Sequence, residues 1–327
     1  MTARIALDAM GGDHAPHQLV RGALDAAASG VDVVLVGDTP KIEAELEALG
    51  AELPIVHAPE CISMEDDPAV AIREKKGASV TVAARLVSEG EADGIVSAGS
   101  TGAALAAAAI IIGRLPGVSR PAIAALFPIG NPTVVLDVGA NLEVKPSTLA
   151  EFGVMGSVLA EIHLGIAAPR VGLLNVGEES GKGRDAEKEA HTLLAGMPID
   201  FVGNVEGRDL GKSKADVFVT DGFTGNVMLK TAEGVAKAVA GLVLETIAED
   251  GDPTFRESAG AVLPKLLAVR ERLDPEAYGG AHLVGARGTV VIAHGSSSRV
   301  AVANAVRLAA DGAERGLTSK IEAGLRG

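Results

Sequence analysis

The sequence has almost none of the residues on which several classes of protein depend. Cys61 is the single cysteine among 327 residues, so no disulfide framework can form and we expect an intracellular, reducing compartment. Aromatic residues make up 2% of the chain and tryptophan is absent, which argues against stacking platforms for nucleic-acid bases. The formal net charge of −14 argues against general binding to phosphate backbones, which requires clustered lysine and arginine.

Segments of the membrane-spanning type are also scarce. The N-terminus has no basic stretch followed by an apolar run, so we expect no signal peptide. Residues 94–113 carry no charge over about the length of a membrane span. However, the run Ser-Ala-Gly-Ser-Thr-Gly at residues 97–102 is typical of a loop. The sequence therefore predicts a short buried strand, a loop and an apolar helix here.

What the chain does contain is an alternation of β-branched runs with helical patterns. This alternation predicts an α/β fold with a doubly wound, mostly parallel sheet and helices on both faces. The length favours one domain of two lobes over residues 1–327. Near residues 242–273 the strands give way to two helical patterns, with a break at Gly251-Asp252-Pro253, which predicts a helical excursion from the sheet.

Six strand candidates end in loops rich in glycine and small polar residues. They are "IALDAMGGDH", "GIVSAGSTG", "VVLDVGAN", "GLLNVGEESGKG", "VFVTDGFTGN" and "VVIAHGSSS". Ordinary turn chemistry explains any one of them, but parallel strands end at one edge of a sheet, so the six together predict a shared site. Helices predicted to begin at Thr101, Gly222 and Ser296 would offer unpaired N–H groups to an anion.

Short sequence motifs exclude some kinds of active site but do not identify one reaction. "GRDLGKS" at residues 207–213 fails the P-loop spacing, because the first glycine would fall at Glu206. "GKGRDA" at residues 181–186 fits G-x-G-x-x-A and keeps an NAD-dependent hydroxy-acid dehydrogenase open, although the preceding Glu-Glu-Ser would oppose a pyrophosphate. We find neither zinc-type ligand spacing nor a G-x-S-x-G elbow. The remaining acid–base candidates are Asp8, Asp13, His14, Asp137, Asp221 and His294.

Nine ordered segments between residue 4 and about residue 310 resemble one known family. They are "LDAMGGDHAP", "SAGSTGA", "RPAIAALFP", "LDVGAN", "PRVGLLNVGEE", "GNVEGRD", "DGFTGNVMLKT", "YGGAHLVG" and "AHGSSS". On these segments the chain resembles the bacterial phosphate acyltransferases of the PlsX family. Two positions depart from the family pattern: Ser100 stands where asparagine is usual, and Thr220 where cysteine is common.

The resemblance implies an activity and a setting. The activity is transfer of a long-chain fatty acyl group from acyl carrier protein to inorganic phosphate, without metal or cofactor. The acyl phosphate would feed phospholipid synthesis through a membrane glycerol-3-phosphate acyltransferase of the PlsY type. The implied fold is that of isocitrate and isopropylmalate dehydrogenases and phosphotransacetylases, and the implied assembly is a homodimer. We expect the protein in the cytoplasm or at the inner face of the cell membrane.

We assign the site residues from the chemistry of this reaction. Catalysis is assigned to Asp13, His14, Lys182 and Asn226. Substrate binding is assigned to Gly11, Gly12, Gly99, Ser100, Thr101, Gly102, Asn141, Asp221, Gly222, Thr224, Gly225 and His294. Because phosphate is already a competent nucleophile, such a site mainly has to position it and stabilise charge. Asp13 and His14 would orient or deprotonate phosphate, although a turn-stabilising hydrogen bond explains His14 equally well.

Two alternatives remain at this point besides the dehydrogenase. One is a phosphotransacetylase-like enzyme that uses acyl-CoA, and the other is a non-catalytic scaffold for lipid enzymes. Residues 255–273 carry an apolar helical stripe with basic neighbours, in which Pro264 predicts a kink or a division into two helices. The stripe consists of Phe255, Ala259, Val262, Leu266, Val269 and Leu273, widened by Leu263 and Leu267, and the basic residues are Arg256, Lys265, Arg270 and Arg272. It predicts either packing within a dimer or docking to acyl carrier protein and anionic lipid.

Overall fold

One mixed sheet organises the described part of the chain. The computed structural model describes residues 2–128, 130–249, 253–272 and 275–326, with side chains except at residues 248–249, 253–258, 269–272 and 275. The strands are β1 (Arg4–Asp8), β2 (Asp32–Gly37), β3 (Ile55–His57), β4 (Gly94–Ser97), β5 (Ala122–Phe127), β6 (Thr133–Leu136), β7 (Arg170–Leu174), β8 (Asp200–Val205), β9 (Val217–Val219), β10 (Ala281–Val284) and β11 (Thr289–Ile292). Their order in space is β3-β2-β1-β4-β11-β10-β5-β6-β9-β7-β8.

The direction of the strands reverses at three neighbouring junctions in the middle of this sheet. Strand β10 is antiparallel to both β11 and β5, and β5 is antiparallel to β6, whereas the other neighbouring strands are parallel. The sheet is therefore mostly parallel, as predicted. However, β1, β4 and β11 point opposite to β6, β7 and β9. The prediction that six strand-end loops share one edge is wrong, because the loops leave the sheet as two groups of three.

Helices cover both faces of the sheet. They are α1 (His17–Ala28), α2 (Thr39–Leu49), α3 (Pro68–Glu74), α4 (Ser79–Glu89), α5 (Thr101–Ala107), α6 (Pro146–Leu164), α7 (Asp185–Ala195), α8 (Gly222–Glu249), α9 (Pro253–Arg272), α10 (Arg299–Glu314) and α11 (Leu317–Arg326). A π-helical turn, Ala108–Ile112, continues α5. The predicted starts at Thr101 and Gly222 are confirmed. Helix α10 begins three residues after Ser296, because the hydroxyl of Ser298 caps it by accepting the N–H of Ala301.

Small residues allow the helices to pack closely against the sheet and against each other. One apolar cluster extends across the sheet from Ala6 on β1 to Phe218 on β9, so both halves share a core. Helices α1 and α10 approach so closely that a Cβ at Gly22 would lie 2.5 Å from Cβ of Val302. A larger residue at Gly22 would therefore force these helices apart, which explains the need for glycine in the interior of α1.

The helical excursion is confirmed as α8 and α9. Helix α8 begins directly after β9, and Pro264 lies inside α9, which continues through it as one helix. Within the described residues, no helix combines the length and the apolar character needed to cross a bilayer. Val262, Leu263 and Leu267 of the predicted stripe are exposed. The side chains of Phe255, Arg256, Val269, Arg270 and Arg272, and all of Leu273, lie outside the described part.

A buried pair of histidines lies at β10, the strand that is antiparallel to both of its neighbours. The rings of His163 on α6 and His282 on β10 stack with their centroids 4.7 Å apart. Neither nitrogen of His282 has a hydrogen-bond partner within the described residues, nor does Nε2 of His163. Nδ1 of His163 lies 3.1 Å from Oδ2 of Asp311, which Arg315 also contacts. Burial lowers the pKa of both histidines, and the pKa of His282 falls well below its usual value.

This pair predicts a loss of stability in acid. Since the pKa of His282 in the folded protein lies below the unfolded value of 6.5, its contribution is complete above that pH and is lost as the pH falls below it. In wild type the unfolding free energy should decrease as the pH falls below 6.5. We expect this decrease to be smaller in His282→Leu, by up to about 1.4 kcal/mol per pH unit. Urea unfolding of wild type and variant between about pH 8 and about pH 5 measures this difference. The exposed-residue variant His57→Asn is the control, and equal acid loss in His282→Leu and wild type would contradict the prediction.

Candidate active site

The first group of loops follows β1, β4 and β11 and is organised by a buried carboxylate. The hydroxyl of Ser97 donates to Oδ2 of Asp8 at 2.7 Å, and the N–H of Met10 donates to Oδ1 at 3.3 Å. Ser97 Oγ in turn accepts the N–H of Gly99 at 3.1 Å. Burial raises the pKa of Asp8, although the hydrogen bonds from Ser79 and Ser97 act in the opposite direction. Asp8 therefore joins the turn after β1 to the turn after β4.

The glycines of the first turn are required by close backbone approach. A Cβ at Gly11 would lie 2.6 Å from Oδ2 of Asp8 and 2.8 Å from the nitrogen of Gly99. Gly12 has a φ of +99°, a conformation that other residues rarely adopt. The next N–H, that of Asp13, donates to the carbonyl of Gly295 at 2.8 Å. Three strand-end loops thus meet at this turn.

The predicted polar residues of this group lie at its surface. Asp13, His14, Thr101 and His294 are exposed. The Nδ1 of His294 lies 2.9 Å from the hydroxyl of Ser296 in its own loop. These side chains are free to meet a ligand from solvent.

Ser100, which stands where asparagine is usual in the family that the sequence resembles, still caps a helix. Its hydroxyl accepts the N–H of Ala103 at 3.4 Å, and its carbonyl accepts the N–H of Ala104 at 3.0 Å. Beside it, a Cβ at Gly102 would lie 2.7 Å from Cγ of Pro68. The substitution therefore preserves the local helix start.

A small pocket opens beside these turns. Besides Gly11, Gly99 and Ser100, its wall includes Cys61 and Ser79, which the sequence did not indicate. Burial, followed by the nearby charge of Asp8, raises the pKa of the Cys61 thiol. The thiolate is therefore disfavoured at neutral pH, which argues against Cys61 as a nucleophile.

The second group of loops follows β6, β7 and β9 and contains a second buried carboxylate. Asp137 accepts the N–H groups of Ile123, Gly139 and Ala140 on Oδ1 at 3.0–3.1 Å, and that of Asn141 on Oδ2 at 2.8 Å. Burial raises the pKa of Asp137 against these hydrogen bonds. The carboxylate thus folds the loop after β6 around itself.

Asn141 is held within this framework. Its Nδ2 donates to the carbonyl of Pro121 at 2.8 Å and to Asp137 at 2.9 Å, and its carbonyl accepts the N–H of Gly222 at 2.7 Å. A Cβ at Gly225 would lie 1.9 Å from the carbonyl oxygen of Asp137. The loop after β6 therefore packs directly against the start of α8, and the side-chain amide of Asn141 already serves this packing.

Asp221 caps α8 and binds an arginine from the neighbouring loop. It accepts the N–H of Thr224 at 2.7 Å and the Thr224 hydroxyl at 3.1 Å. Nη2 of Arg184 donates to Oδ2 of Asp221 at 2.6 Å, while the same guanidinium also binds Glu187. Burial opposes ionisation of Asp221, but the donors from Thr224 and Arg184 outweigh it and lower the pKa of this carboxyl.

The predicted anion donors at the start of α8 are therefore partly occupied. The N–H groups of Gly222, Thr224 and Gly225 donate to Asn141, to the Asp221 carboxylate and to the Asp221 carbonyl. Asn226 is exposed and lies against Gly139. Of the residues predicted here, Asn226 keeps a side chain open to solvent.

Two exposed lysines of this group, Lys182 and Lys145, have no acidic side-chain partner within the described residues. Lys214 pairs with Glu178 at 2.8 Å, and Arg184 is bound as described above. Lys182 is exposed, and no acidic side chain pairs with it within the described ranges. Its carbonyl accepts the Asn175 amide at 3.1 Å, which fixes the backbone of the loop. The ammonium is therefore available to an anionic ligand.

The structure thus divides the predicted site residues into two sets. The loops after β1, β4 and β11 hold Gly11, Gly12, Asp13, His14, Gly99, Ser100, Thr101, Gly102 and His294, and those after β6, β7 and β9 hold Asn141, Lys182, Asp221, Gly222, Thr224, Gly225 and Asn226. Hydrogen bonds join loops within each set, but in the part of the chain that the structure describes none joins one set to the other. Sequence reasoning missed the link from Arg184 to Asp221, whose only signal was an arginine at a helix start.

Comparisons with known proteins match nearly the whole chain to one family. The family described as fatty acid synthesis protein matches residues 3–320. A phosphate acyltransferase of Desulforamulus reducens is 48% identical over 326 residues, which cover 98% of this chain and 97% of that protein.

Solved structures share the fold at low sequence identity. A phosphotransacetylase from Streptococcus pyogenes has a TM-score of 0.66 at 20% identity, covering 96% of this chain and 95% of that one. A 4-hydroxythreonine-4-phosphate dehydrogenase from Klebsiella pneumoniae has a TM-score of 0.57 at 13% identity, covering 94% and 98%. These likenesses confirm the predicted fold class. On the family match and the close, nearly full-length relative, the chain belongs to the PlsX family and is a phosphate acyltransferase.

Proposed function

We propose that the acyl donor of this enzyme is long-chain acyl-acyl carrier protein. The product, acyl phosphate, would be consumed in the synthesis of phosphatidic acid by a membrane glycerol-3-phosphate acyltransferase of the PlsY type. The observation that carries the phosphate-binding part of the proposal is Lys182, an exposed cation without an acidic partner among the described residues, in a protein of net charge −14. The donor rests on the nine-segment resemblance to the PlsX family.

The chemistry is a single displacement at a thioester. A phosphate oxygen attacks the carbonyl carbon and forms the C–O bond, the C–S bond breaks, and the leaving thiolate takes up a proton. Negative charge develops on the carbonyl oxygen, so a fixed cation near it lowers the barrier. Lys182 would offset charge on phosphate or on this oxygen, while Asn226 offers an exposed amide donor.

Asp13 and His14 are the proposed groups that orient or deprotonate phosphate. Both are exposed at the turn after β1, where Asp13 N–H binds the carbonyl of Gly295. Gly11, Gly12 and the turn from Gly99 to Gly102 would shape the phosphate site around them. This assignment requires the two sets of loops to act on one substrate from opposite sides.

Acyl-CoA is the alternative donor, and the fold shared with a phosphotransacetylase favours testing it. Purified protein with phosphate and either hexadecanoyl-acyl carrier protein or acetyl-CoA should yield hexadecanoyl phosphate in the first reaction, detected by mass spectrometry. Faster product formation from acetyl-CoA would reject the proposed donor and establish the alternative.

Replacing Lys182 should reduce turnover with little change in stability. We expect Lys182→Ala to lower kcat/KM about 100-fold, comparable to the loss of one oxyanion donor. Lys188→Ala is the matched control, because that exposed lysine lies in the first turn of α7, just beyond the Lys182 loop, and pairs with Asp185. Unchanged kinetics in Lys182→Ala would place this residue outside the site.

The exposed apolar residues of α8 and α9 support a proposal about location. Val239, Leu242 and Val243 of α8 and Val262 of α9 are exposed, and Lys265 adds positive charge. We propose a cytoplasmic homodimer whose α9 surface contacts anionic lipid. Each basic residue near an anionic bilayer contributes about 1 kcal/mol, so attachment should be weak and sensitive to salt.

Charge introduced on α9 should abolish this attachment. Leu266→Glu combined with Leu267→Glu should leave the protein in the supernatant after centrifugation with phosphatidylglycerol vesicles, whereas wild type sediments. Leu193→Glu on α7 controls for added charge. A double variant that elutes as a monomer or unfolds would show instead that the stripe is a structural interface.

A further inference from the structure

Three adjacent strand-end loops expose a large apolar residue next to a polar one. Leu142 follows Asn141, Val176 follows Asn175, and Phe223 precedes Thr224 at the α8 start. Their side chains are 67%, 82% and 62% exposed, respectively. The first residues after β1, β4 and β11 are instead buried alanines. The exposed apolar residues therefore belong to the second set of loops.

The three residues lie on neighbouring loops at one end of their strands. Strand β9 lies between β6 and β7, so their loops are neighbours along the edge of the sheet. Because the N–H of Gly222 binds the carbonyl of Asn141, Leu142 and Phe223 each follow one partner of a hydrogen bond. Val227, 53% exposed and four residues after Phe223, extends the same face of α8.

Val176 connects this surface to Lys182. It lies between Asn175, whose amide donates to the Lys182 carbonyl, and Gly177, where a Cβ would meet Cγ of Lys182 at 3.1 Å. The guanidinium of Arg184, two residues after Lys182, reaches Asp221, which precedes Gly222 and Phe223. An unpaired cation and an apolar surface are thus built into the same loops.

We propose that Leu142, Val176, Phe223 and Val227, the apolar collar, bind the acyl chain of the substrate. This inference rests on the proposed function and adds the residues that would select for chain length. An acyl phosphate has an anionic head and an apolar tail, which match Lys182 and the collar. Covering exposed apolar side chains with methylene groups releases both from water, so affinity should rise with chain length.

Alkyl phosphates of increasing length test the collar without requiring turnover. Inhibition or thermal-shift titrations with butyl, octyl and dodecyl phosphate should show affinity of the full-length wild type rising up to about fourfold per buried methylene. Phe223→Ser and Leu142→Ser should flatten this dependence, with a loss of affinity that is smaller for butyl phosphate than for dodecyl phosphate. Leu193→Ser, an exposed leucine about 13 Å along α7 from Arg184 by helical rise, should behave as wild type.

Activity with two donors provides the second measurement. For Phe223→Ser we expect kcat/KM with a hexadecanoyl donor to fall about tenfold and that with a butanoyl donor to change less than about twofold. An unchanged dependence on chain length in both variants would overturn the proposal. So would a shift in the elution volume of these variants, because the collar would then be an interface between copies.

The two measurements separate this inference from the proposed function. If wild type forms no acyl phosphate from acyl carrier protein thioesters, the proposed donor fails, while the alkyl phosphate series still tests the collar. If wild type is active and binds all alkyl phosphates equally, the donor stands and the collar is rejected.

Discussion

Buried carboxylates at the ends of strands hold both sets of loops in place. Asp8 accepts hydrogen bonds from the hydroxyls of Ser79 and Ser97 and from the backbone of the first turn. Asp137 accepts hydrogen bonds from the N–H groups of its own loop. Isolated charges are costly to bury, and burial raises the pKa of both groups. Asp221 differs because Arg184 supplies a cation, and its pKa is lowered. Loss of one of these carboxylates would leave several donors unpaired at once.

The local parts of this architecture could be predicted from the sequence, and the long-range parts could not. The starts of α5 and α8 follow from glycine and small polar residues after a β-branched run, which are local signals. The reversal between β5 and β6 depends on which strands pair, and distant contacts decide that. Turn chemistry looks the same at either edge of a sheet, so the sequence could not show that the loops form two sets.

In the candidate site, too, the sequence predicted which residues are present but not which partners the fold brings to them. Lys182 stood out as a cation in a glycine-rich loop, but its lack of a partner depends on where the acidic groups of neighbouring loops lie. Arg184, two residues later, is bound by Glu187 on its own helix and by Asp221 from another loop. The distinction between these neighbours is therefore a property of the folded state. The donors at Gly222, Thr224 and Gly225 were likewise predicted as free because their acceptors come from folded contacts.

The single cysteine gives this protein a built-in reporter. Cys61 is exposed, lines the pocket beside Gly11 and Gly99, and has no second thiol in the chain to compete with it. A maleimide fluorophore would therefore attach at one position without any engineering of the sequence. Because the thiol has a raised pKa, the labelling rate can be tuned through pH, and protection from labelling would report when the pocket is filled.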